Sequence, residues 1–191
     1  MAADKIIEAW KDAEINPTEG SCSKIQIEYF MEFLAKHENI KTILEIGFNG
    51  GLSSLALLSA RPDINVYSID LGEHDYVLKA KRFIDKVYPN RHMLFIGDST
   101  TTLPMIMKSF PHFNPDFIFM DGGHDAPVPG IDLDNCLKIS KPGTWICIDD
   151  IVEWMPGIIA PINEAIKDCK LAILDKKRHD IHGWVLCKKI F

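Results

Sequence analysis

Acidic side chains stand where two apolar runs of the sequence end. Asp121 ends the run 116–121, and Asp149 and Asp150 come at the end of the run 143–149. If both runs are neighbouring parallel strands, the three carboxylates meet at one sheet edge and need a compensating charge. Because oxygen ligands favour hard cations, the sequence predicts Mg²⁺ or another hard divalent cation held by Asp121, Asp149 and Asp150. Alternatively, Asp149 and Asp150 cap the next helix and Asp121 alone faces the site.

A histidine follows the first of these acids at short range. His124 lies three residues after Asp121, and an imidazole with an ordinary pKa near 6.5 is a suitable general base at neutral pH. His124 and Asp121 are therefore the predicted catalytic pair. The alternative is a structural histidine that forms hydrogen bonds within the loop 122–130.

A glycine-rich turn joins the first predicted strand to the next helix. It reads Glu45-Ile-Gly47-Phe-Asn49-Gly50-Gly51 and is followed by Ser53. Glycines allow a tight turn and close approach of a ligand to the backbone, and the helix beyond offers free N–H groups to an anion. Asn49 replaces the second glycine of the dinucleotide motif, and no Gly-Lys-Ser/Thr follows, so neither a dinucleotide nor a P-loop site is predicted.

Two further acids end predicted strands. Asp70 ends the strand 65–70, and Asp98 follows the strand 93–97. Ligands of doubly wound sheets bind at the carboxyl ends of the strands, so these acids and Glu45 predict a polar or cationic ligand along that edge. An exposed turn residue at Asp70 and a helix N-cap at Asp98 are the alternatives.

Strands alternate with helices along most of the chain, which predicts a doubly wound α/β sheet that is mainly parallel. The predicted strands are 41–47, 65–70, 93–97, 116–121, 143–149, 171–175 and 183–189. The predicted helices are 4–13, 22–37, 52–60, 76–87, 102–110, 131–139 and 158–168. The last two strands suit an antiparallel hairpin, with a polar loop over 176–182 that contains His179 and His182.

The composition is that of an ordinary globular chain. The 191 residues carry a formal net charge of −6, with 47% hydrophobic and 25% charged residues. We expect one domain over 1–191, with N-terminal helices in 1–38 and the core in 39–191. The acidic balance argues against a nucleic-acid partner, no apolar run is long enough to span a membrane, and five scattered cysteines favour a reducing cytoplasm.

The turn Glu45-x-Gly47-x-x-x-Gly51, with Asp70 ending the second strand, resembles that of class I S-adenosylmethionine-dependent methyltransferases. The resemblance covers roughly residues 20–191. It implies a Rossmann-like seven-stranded sheet with a reversed last strand. It also implies that the turn approaches the methionine part of S-adenosylmethionine, that Asp70 accepts hydrogen bonds from both ribose hydroxyls, and that Asp98 and Ser99 lie beside the adenine. The full set predicted to bind this cofactor is Glu45, Gly47, Asn49, Gly51, Ser53, Asp70, Asp98, Ser99 and Asp121.

The acids near the second half of the sheet resemble those of metal-dependent O-methyltransferases of the catechol type and of the type acting on antibiotic sugars. The catechol branch has asparagine where this chain has Asp150, the sugar branch has a second acid there, and a catalytic lysine of the catechol branch occupies the offset of His124. The implied reaction is O-methylation of a small hydroxylated acceptor, with metal ligation lowering the pKa of its hydroxyl. The alternatives are a metal-independent methyltransferase, a nucleotide-dependent oxidoreductase and a non-catalytic S-adenosylmethionine-binding protein.

The acceptor is expected beside the loop after Asp150. Trp154 and Met155 are placed to wall an aromatic or sugar ring, or else to pack against the N-terminal helix. By the same resemblance, the segment 16–21 folds over the cofactor as a lid. Because the chain has no large insertion, the acceptor pocket is expected to be open or completed by a second subunit, so a homo-oligomer is one predicted partner.

Overall fold

The computed structural model describes residues 2–153, 155–179 and 182–191. Its helices are α1 (Ala2–Asp12), α2 (Lys24–Lys36), α3 (Leu52–Ala60), α4 (Asp75–Val87), α5 (Ser99–Ser109), α6 (Val128–Ile139) and α7 (Pro156–Lys167). Its strands are β1 (Thr42–Ile46), β2 (Asn65–Asp70), β3 (His92–Ile96), β4 (Phe117–Met120), β5 (Trp145–Ile148), β6 (Leu171–His179) and β7 (His182–Lys189).

Within these described ranges, the seven strands form one sheet in the order β3-β2-β1-β4-β5-β7-β6. The pairs among β1 to β5 are parallel, whereas β7 runs antiparallel to both β5 and β6. The order reverses between β1 and β4, which is where a doubly wound sheet opens a crevice beyond its strand ends. This topology confirms the predicted α/β class and the reversed last strand.

Helices cover both faces of the sheet because alternate residues of each central strand point to opposite sides. Ile43 and Phe119 belong to the core cluster under α1 to α4, whereas Leu44 and Met120 belong to the cluster under α5 to α7. Each face therefore has its own apolar core. The sheet is packed between them, and this packing positions its strand ends.

Side-chain caps fix the starts of two helices that border the crevice. Ser23 Oγ accepts the backbone N–H of Gln26 at the start of α2, and Asp98 accepts that of Thr100 at the start of α5. The sequence predicted α5 to start at residue 102, and that boundary is wrong by three residues. The reason is the Asp98 cap, which lets the helix begin directly after β3.

The predicted loop over 176–182 is wrong for its first four residues and for His182. Lys176 to His179 continue β6, and His182 begins β7; residues 180 and 181 lie outside the described ranges. The charged run misled the prediction because β6 is the edge strand, where charged side chains face solvent and discourage pairing with other chains. None of the described helices is long and apolar enough to cross a membrane.

Candidate functional site

A cleft of about 620 Å³ opens at the carboxyl ends of the parallel strands. Its size lies in the range of small-molecule sites. Its walls include nine residues that the sequence predicted for the site: Gly47, Asn49, Asp70, Asp98, Ser99, Asp121, His124, Asp149 and Asp150. The regular alternation of strand and helix brings these residues to one edge, although they are spread over a hundred positions of the chain.

The glycine turn packs directly against the loop after β4. Gly47 has φ +91°, and a Cβ there would lie 1.9 Å from the carbonyl oxygen of Asp121, so only glycine fits. Asp70 holds the turn from the other side, because its Oδ2 accepts the backbone N–H groups of Phe48 at 3.0 Å and Asn49 at 2.8 Å. Its Oδ1 accepts the N–H of Gly72 at 2.8 Å and retains one lone pair for a ligand.

Asp98 and Ser99 form the end of the cleft at β3. Asp98 is an N-cap, as the alternative interpretation had it, and also lines the cleft. Hydrogen bonds from the Thr100 hydroxyl and then its backbone N–H lower the pKa of the Asp98 carboxyl. The Ser99 hydroxyl points inward and donates to Asp132 Oδ2 at 2.9 Å.

Three residues predicted to bind the cofactor stand behind the cleft rather than in its described wall: Glu45, Gly51 and Ser53. Glu45 is fully buried on β1, where Ser53 donates to it at 2.6 Å, Ser68 donates at 2.5 Å, and Ser54 also donates. Burial raises its pKa to about 7 in spite of these hydrogen bonds. The sequence could not separate a carboxylate facing the ligand from one that supports the turn from beneath.

An acidic cluster with a histidine occupies the other half of the cleft. Asp121, His124 and Asp150 each place a ligand atom within 4.8 Å of the other two. Burial, and then the charges of Asp149 and Asp150, raise the pKa of Asp121 well above its usual range. His124 Nε2 lies 2.9 Å from Asp150 Oδ2, and this hydrogen bond raises the pKa of the imidazole.

Backbone strain accompanies this cluster. Asp150 has φ +54°, a left-handed conformation that costs energy for a residue other than glycine. Asp150 follows the end of β5 by two residues, and its side chain reaches His124. Such strain is typical of functional sites, where the surrounding structure holds a side chain in a required position.

Asp149 lines the same cleft but is held by a different partner. Gln26 Nε2, on α2, donates to Asp149 Oδ2 at 2.7 Å. Burial raises the pKa of Asp149 to about 6, although this hydrogen bond opposes the shift. Among the described residues, the three side chains close enough to hold one metal ion are therefore Asp121, His124 and Asp150. The sequence predicted Asp149 in place of His124.

Of the two residues predicted to line the acceptor pocket, Met155 lies elsewhere, and Trp154 is outside the described ranges. Met155 packs against the apolar core under α5 to α7, and it is absent from the described lining of the cleft. Its backbone N–H bonds to Val152 as the chain turns into α7. Trp154 lies outside the described residues.

Several cleft residues were missed by sequence reasoning, among them Ser23, Gln26 and His74. Ser23 and Gln26 lie at the start of α2, far along the chain from the strand ends, and His74 directly precedes α4. His182, which was predicted in the polar loop, also lines the cleft. The predicted lid over 16–21 agrees with Glu19, Gly20 and Ser21 lining the cleft, and Asn49 Nδ2 donates to the Gly20 carbonyl at 2.5 Å. The one sequence signal for such residues was a polar side chain on the buried side of α2, namely Gln26, which indicates a polar partner in the interior.

A family model described as a methyltransferase domain matches residues 44–151. The O-methyltransferase imqG of Aspergillus flavus is 25% identical over 127 residues, which cover 64% of this chain and 50% of that protein. The chain thus spans half the length of the curated relative it matches.

Solved structures show the same fold. The O-methyltransferase of Bacillus cereus, in complex with SAH (S-adenosylhomocysteine), aligns with TM-score 0.79 at 18% identity over 98% of this chain and 90% of that one. TomG, the O-methyltransferase of Streptomyces achromogenes involved in tomaymycin synthesis, in complex with SAM, aligns with TM-score 0.76 at 18% identity over 100% and 90%.

The SAH-bound methyltransferase PaMTH1 of Podospora anserina aligns with TM-score 0.78 at 18% identity over 97% of this chain and 88% of that one. At these identities the structural likeness establishes the fold, whereas the family match rests on the sequence itself. The matched stretch runs from β1 to the residue after Asp150 and contains the glycine turn and the acidic cluster. The chain therefore belongs to the methyltransferase domain family.

Proposed function

We propose that this chain is an S-adenosylmethionine-dependent O-methyltransferase that acts on a small hydroxylated acceptor, a sugar or a phenol, with a divalent cation. The observation that carries the proposal is the convergence of a donor-sized polar cleft and the cluster of Asp121, His124 and Asp150 at one sheet edge. Family membership and the O-methyltransferases among the similar proteins support it.

The residues of the cleft fit the donor. Asn49 Oδ1 is buried at the glycine turn without a hydrogen-bond partner in the described part of the chain, so the amino group of the methionine portion would satisfy it. Asp70 Oδ1 retains capacity for one ribose hydroxyl, which is one fewer than the resemblance implied. When bound, the donor supplies a methyl group on a positively charged sulfur.

The acidic cluster fits a divalent cation. Burial and then the charges of Asp149 and Asp150 raise the pKa of Asp121, so a cation that neutralises this group would stabilise it, and oxygen donors suit Mg²⁺ or Mn²⁺. Asp121 and Asp150 would hold the ion, with Asp149 adding negative charge beside them. A cation held there would lower the pKa of an acceptor hydroxyl.

His124 is the base in this proposal. When its Nε2–H is donated to Asp150, the lone pair is on Nδ1, which can then take the proton of the acceptor hydroxyl. The Asp150 carboxylate stabilises the resulting imidazolium, in agreement with the raised pKa of His124. The glycine turn and Asp70 position the donor, and orientation alone can contribute roughly 7–11 kcal/mol to such a transfer.

The hydrogen bond between His124 and Asp150 also favours a second candidate, a metal-independent methyltransferase of the same fold. In that case the role of Asp150 is to orient His124 through this hydrogen bond, and the two side chains hold each other without a cation. The two candidates differ in their response to a chelator.

The test is transfer of a labelled methyl group from S-adenosylmethionine to a panel of catechols, flavonoids and sugars, with EDTA and then with added Mg²⁺ or Mn²⁺. We expect transfer only with a cation, and loss of transfer in Asp121→Asn while binding of S-adenosylhomocysteine persists. Full transfer in excess EDTA would support the metal-independent candidate. Failure of the wild-type protein to bind S-adenosylhomocysteine would contradict both.

A further inference from the structure

A buried carboxylate on α6 reaches the β3 end of the cleft from behind. Asp132 is only 2% exposed, and its Oδ2 accepts the Ser99 hydroxyl at 2.9 Å. Its Oδ1 is buried with no hydrogen-bond partner among the residues that the structure describes. Asp132 also lines a small recess of about 20 Å³ beside the cleft, which is enough for one water molecule. Burying a carboxylate with so few partners is costly, so a role beyond stability is indicated.

The hydrogen bond fixes what Ser99 can offer to a ligand. A serine hydroxyl has one proton and two lone pairs, and here the proton is directed inward to Asp132. Ser99 lines the cleft, and its side chain therefore offers only oxygen lone pairs to a ligand. Its neighbour Asp98 is a carboxylate that already caps α5. This end of the cleft consequently accepts hydrogen bonds and does not donate them from these two side chains.

The position of the purine follows from the strand order, and this step rests on the proposed function. The methyl-bearing sulfur must face the acidic cluster at β4 and β5, and the ribose lies at Asp70 on β2. Because β3 is the next strand outward, the base extends to Asp98 and Ser99. Leu71 and Val128 also line the cleft and provide apolar surface for a ring.

We propose that Asp132 is a positioning residue that makes the cleft select a 6-aminopurine over a 6-oxopurine by holding the Ser99 hydroxyl turned away from the ligand. The exocyclic amine of adenine donates to Ser99 Oγ. A hypoxanthine ring has a carbonyl oxygen at the same place, so its lone pairs would face those of Ser99 Oγ and the contact would be repulsive. Without Asp132, the Ser99 hydroxyl can rotate and donate to that carbonyl.

The experiment compares the affinities of S-adenosylhomocysteine and S-inosylhomocysteine by isothermal titration calorimetry. Burial raises the pKa of Asp132 to about 6, so measurements at pH 8 keep it ionised. The wild-type protein should prefer the adenosyl compound by about tenfold or more, which corresponds to one favourable hydrogen bond replaced by a repulsive contact. Asp132→Ala should reduce the preference to about threefold or less, mainly by tighter binding of the inosyl compound.

Two further variants separate this role from a structural one. Asp134→Ala, on the same helix but exposed and paired with Lys138, should keep the wild-type preference. Ser99→Ala should reduce the preference to the level of Asp132→Ala, leaving only the part due to the Asp98 carboxylate, and adding Asp132→Ala to it should change nothing more. Equal affinities in the wild-type protein, or an unchanged preference in a folded Asp132→Ala, would overturn the proposal. If S-adenosylhomocysteine itself fails to bind, the proposed function is the claim that fails.

Discussion

Glu45 lies at the centre of a buried polar cluster beneath the glycine turn. Ser68 Oγ, which donates to Glu45, is also 2.9 Å from His92 Nε2, and the His92 ring stacks on Phe48 of the turn. Burial lowers the pKa of His92 to about 3, so this histidine stays neutral. Glu45 is therefore the titrating group of the cluster near neutral pH, and its protonation is linked to stability.

The raised pKa of Glu45 predicts a loss of stability with rising pH. The native state binds the proton more tightly than the unfolded chain, so the contribution is complete below the ordinary pKa of 4.5 and is lost as pH rises through about 7. Between pH 5 and pH 8, wild-type protein should lose about 2–3 kcal/mol of unfolding free energy more than Glu45→Gln. Urea unfolding at both pH values, with Glu38→Gln as the exposed control, measures this difference. An equal change in unfolding free energy between pH 5 and pH 8 in the Glu45→Gln and wild-type proteins would contradict it.

Neutralising Asp121 should have opposite effects with and without a cation. In EDTA, Asp121→Asn should stabilise the protein by about 1 kcal/mol, because burial and the nearby Asp149 and Asp150 charges disfavour its ionised form. With added Mg²⁺ or Mn²⁺, the wild-type melting temperature should rise by linkage, whereas that of the variant should not. Thermal melts of both proteins, with Asp134→Asn as control, measure both effects. A destabilised variant in EDTA would show that the acidic cluster is not repulsive.

Gly47 should tolerate no side chain. A methyl group at Gly47 would meet the Asp121 carbonyl oxygen at 1.9 Å and would also require an unfavourable φ of +91°. We expect Gly47→Ala to lower the unfolding free energy by about 2–4 kcal/mol. Gly20→Ala, which has nothing within 4 Å of its Cβ position, should change it by less than about 0.5 kcal/mol. Similar urea midpoints for the two variants would contradict the close contact.

At the scale of elements, the N-terminal helices connect the cleft to the rest of the fold. Trp10 of α1 donates from Nε1 to the Gly50 carbonyl of the glycine turn at 2.7 Å, and Gln26 of α2 reaches Asp149. The two helices therefore contact both halves of the cleft. Their docking was predicted only in outline, since apolar periodicity locates a buried helix face but not the strand end that it meets.

Removing the Trp10 hydrogen bond should loosen the glycine turn. Trp10→Phe keeps an aromatic ring but cannot donate, so the affinity for S-adenosylhomocysteine should fall about three- to tenfold. Trp145→Phe provides the control, because Trp145 lies at the other end of β5 from the cleft. Calorimetric titration of both variants decides the matter, and an equal loss of affinity in the two would show a general effect on folding.

At the scale of the whole molecule, the sequence predicted the sheet because each central strand is a continuous apolar run between helical patterns. It also predicted that acids at the ends of those runs meet at one sheet edge, and Asp70, Asp98, Asp121 and Asp150 all line the cleft there. What it could not predict arises from tertiary contacts between distant segments. Gln26 and Asp149 are 123 positions apart, and Ser99 and Asp132 are 33 apart, so no local pattern connects them.

The central claim is that this sheet edge binds a methyl donor, and titration of S-adenosylhomocysteine into the wild-type protein and Asp70→Ala tests it most directly. We expect saturable binding of one molecule per chain. In Asp70→Ala the affinity should fall by about tenfold or more, because a ribose contact and two hydrogen bonds to the glycine turn are lost together. Absence of binding to the wild-type protein, or equal affinity in both proteins, would contradict the claim.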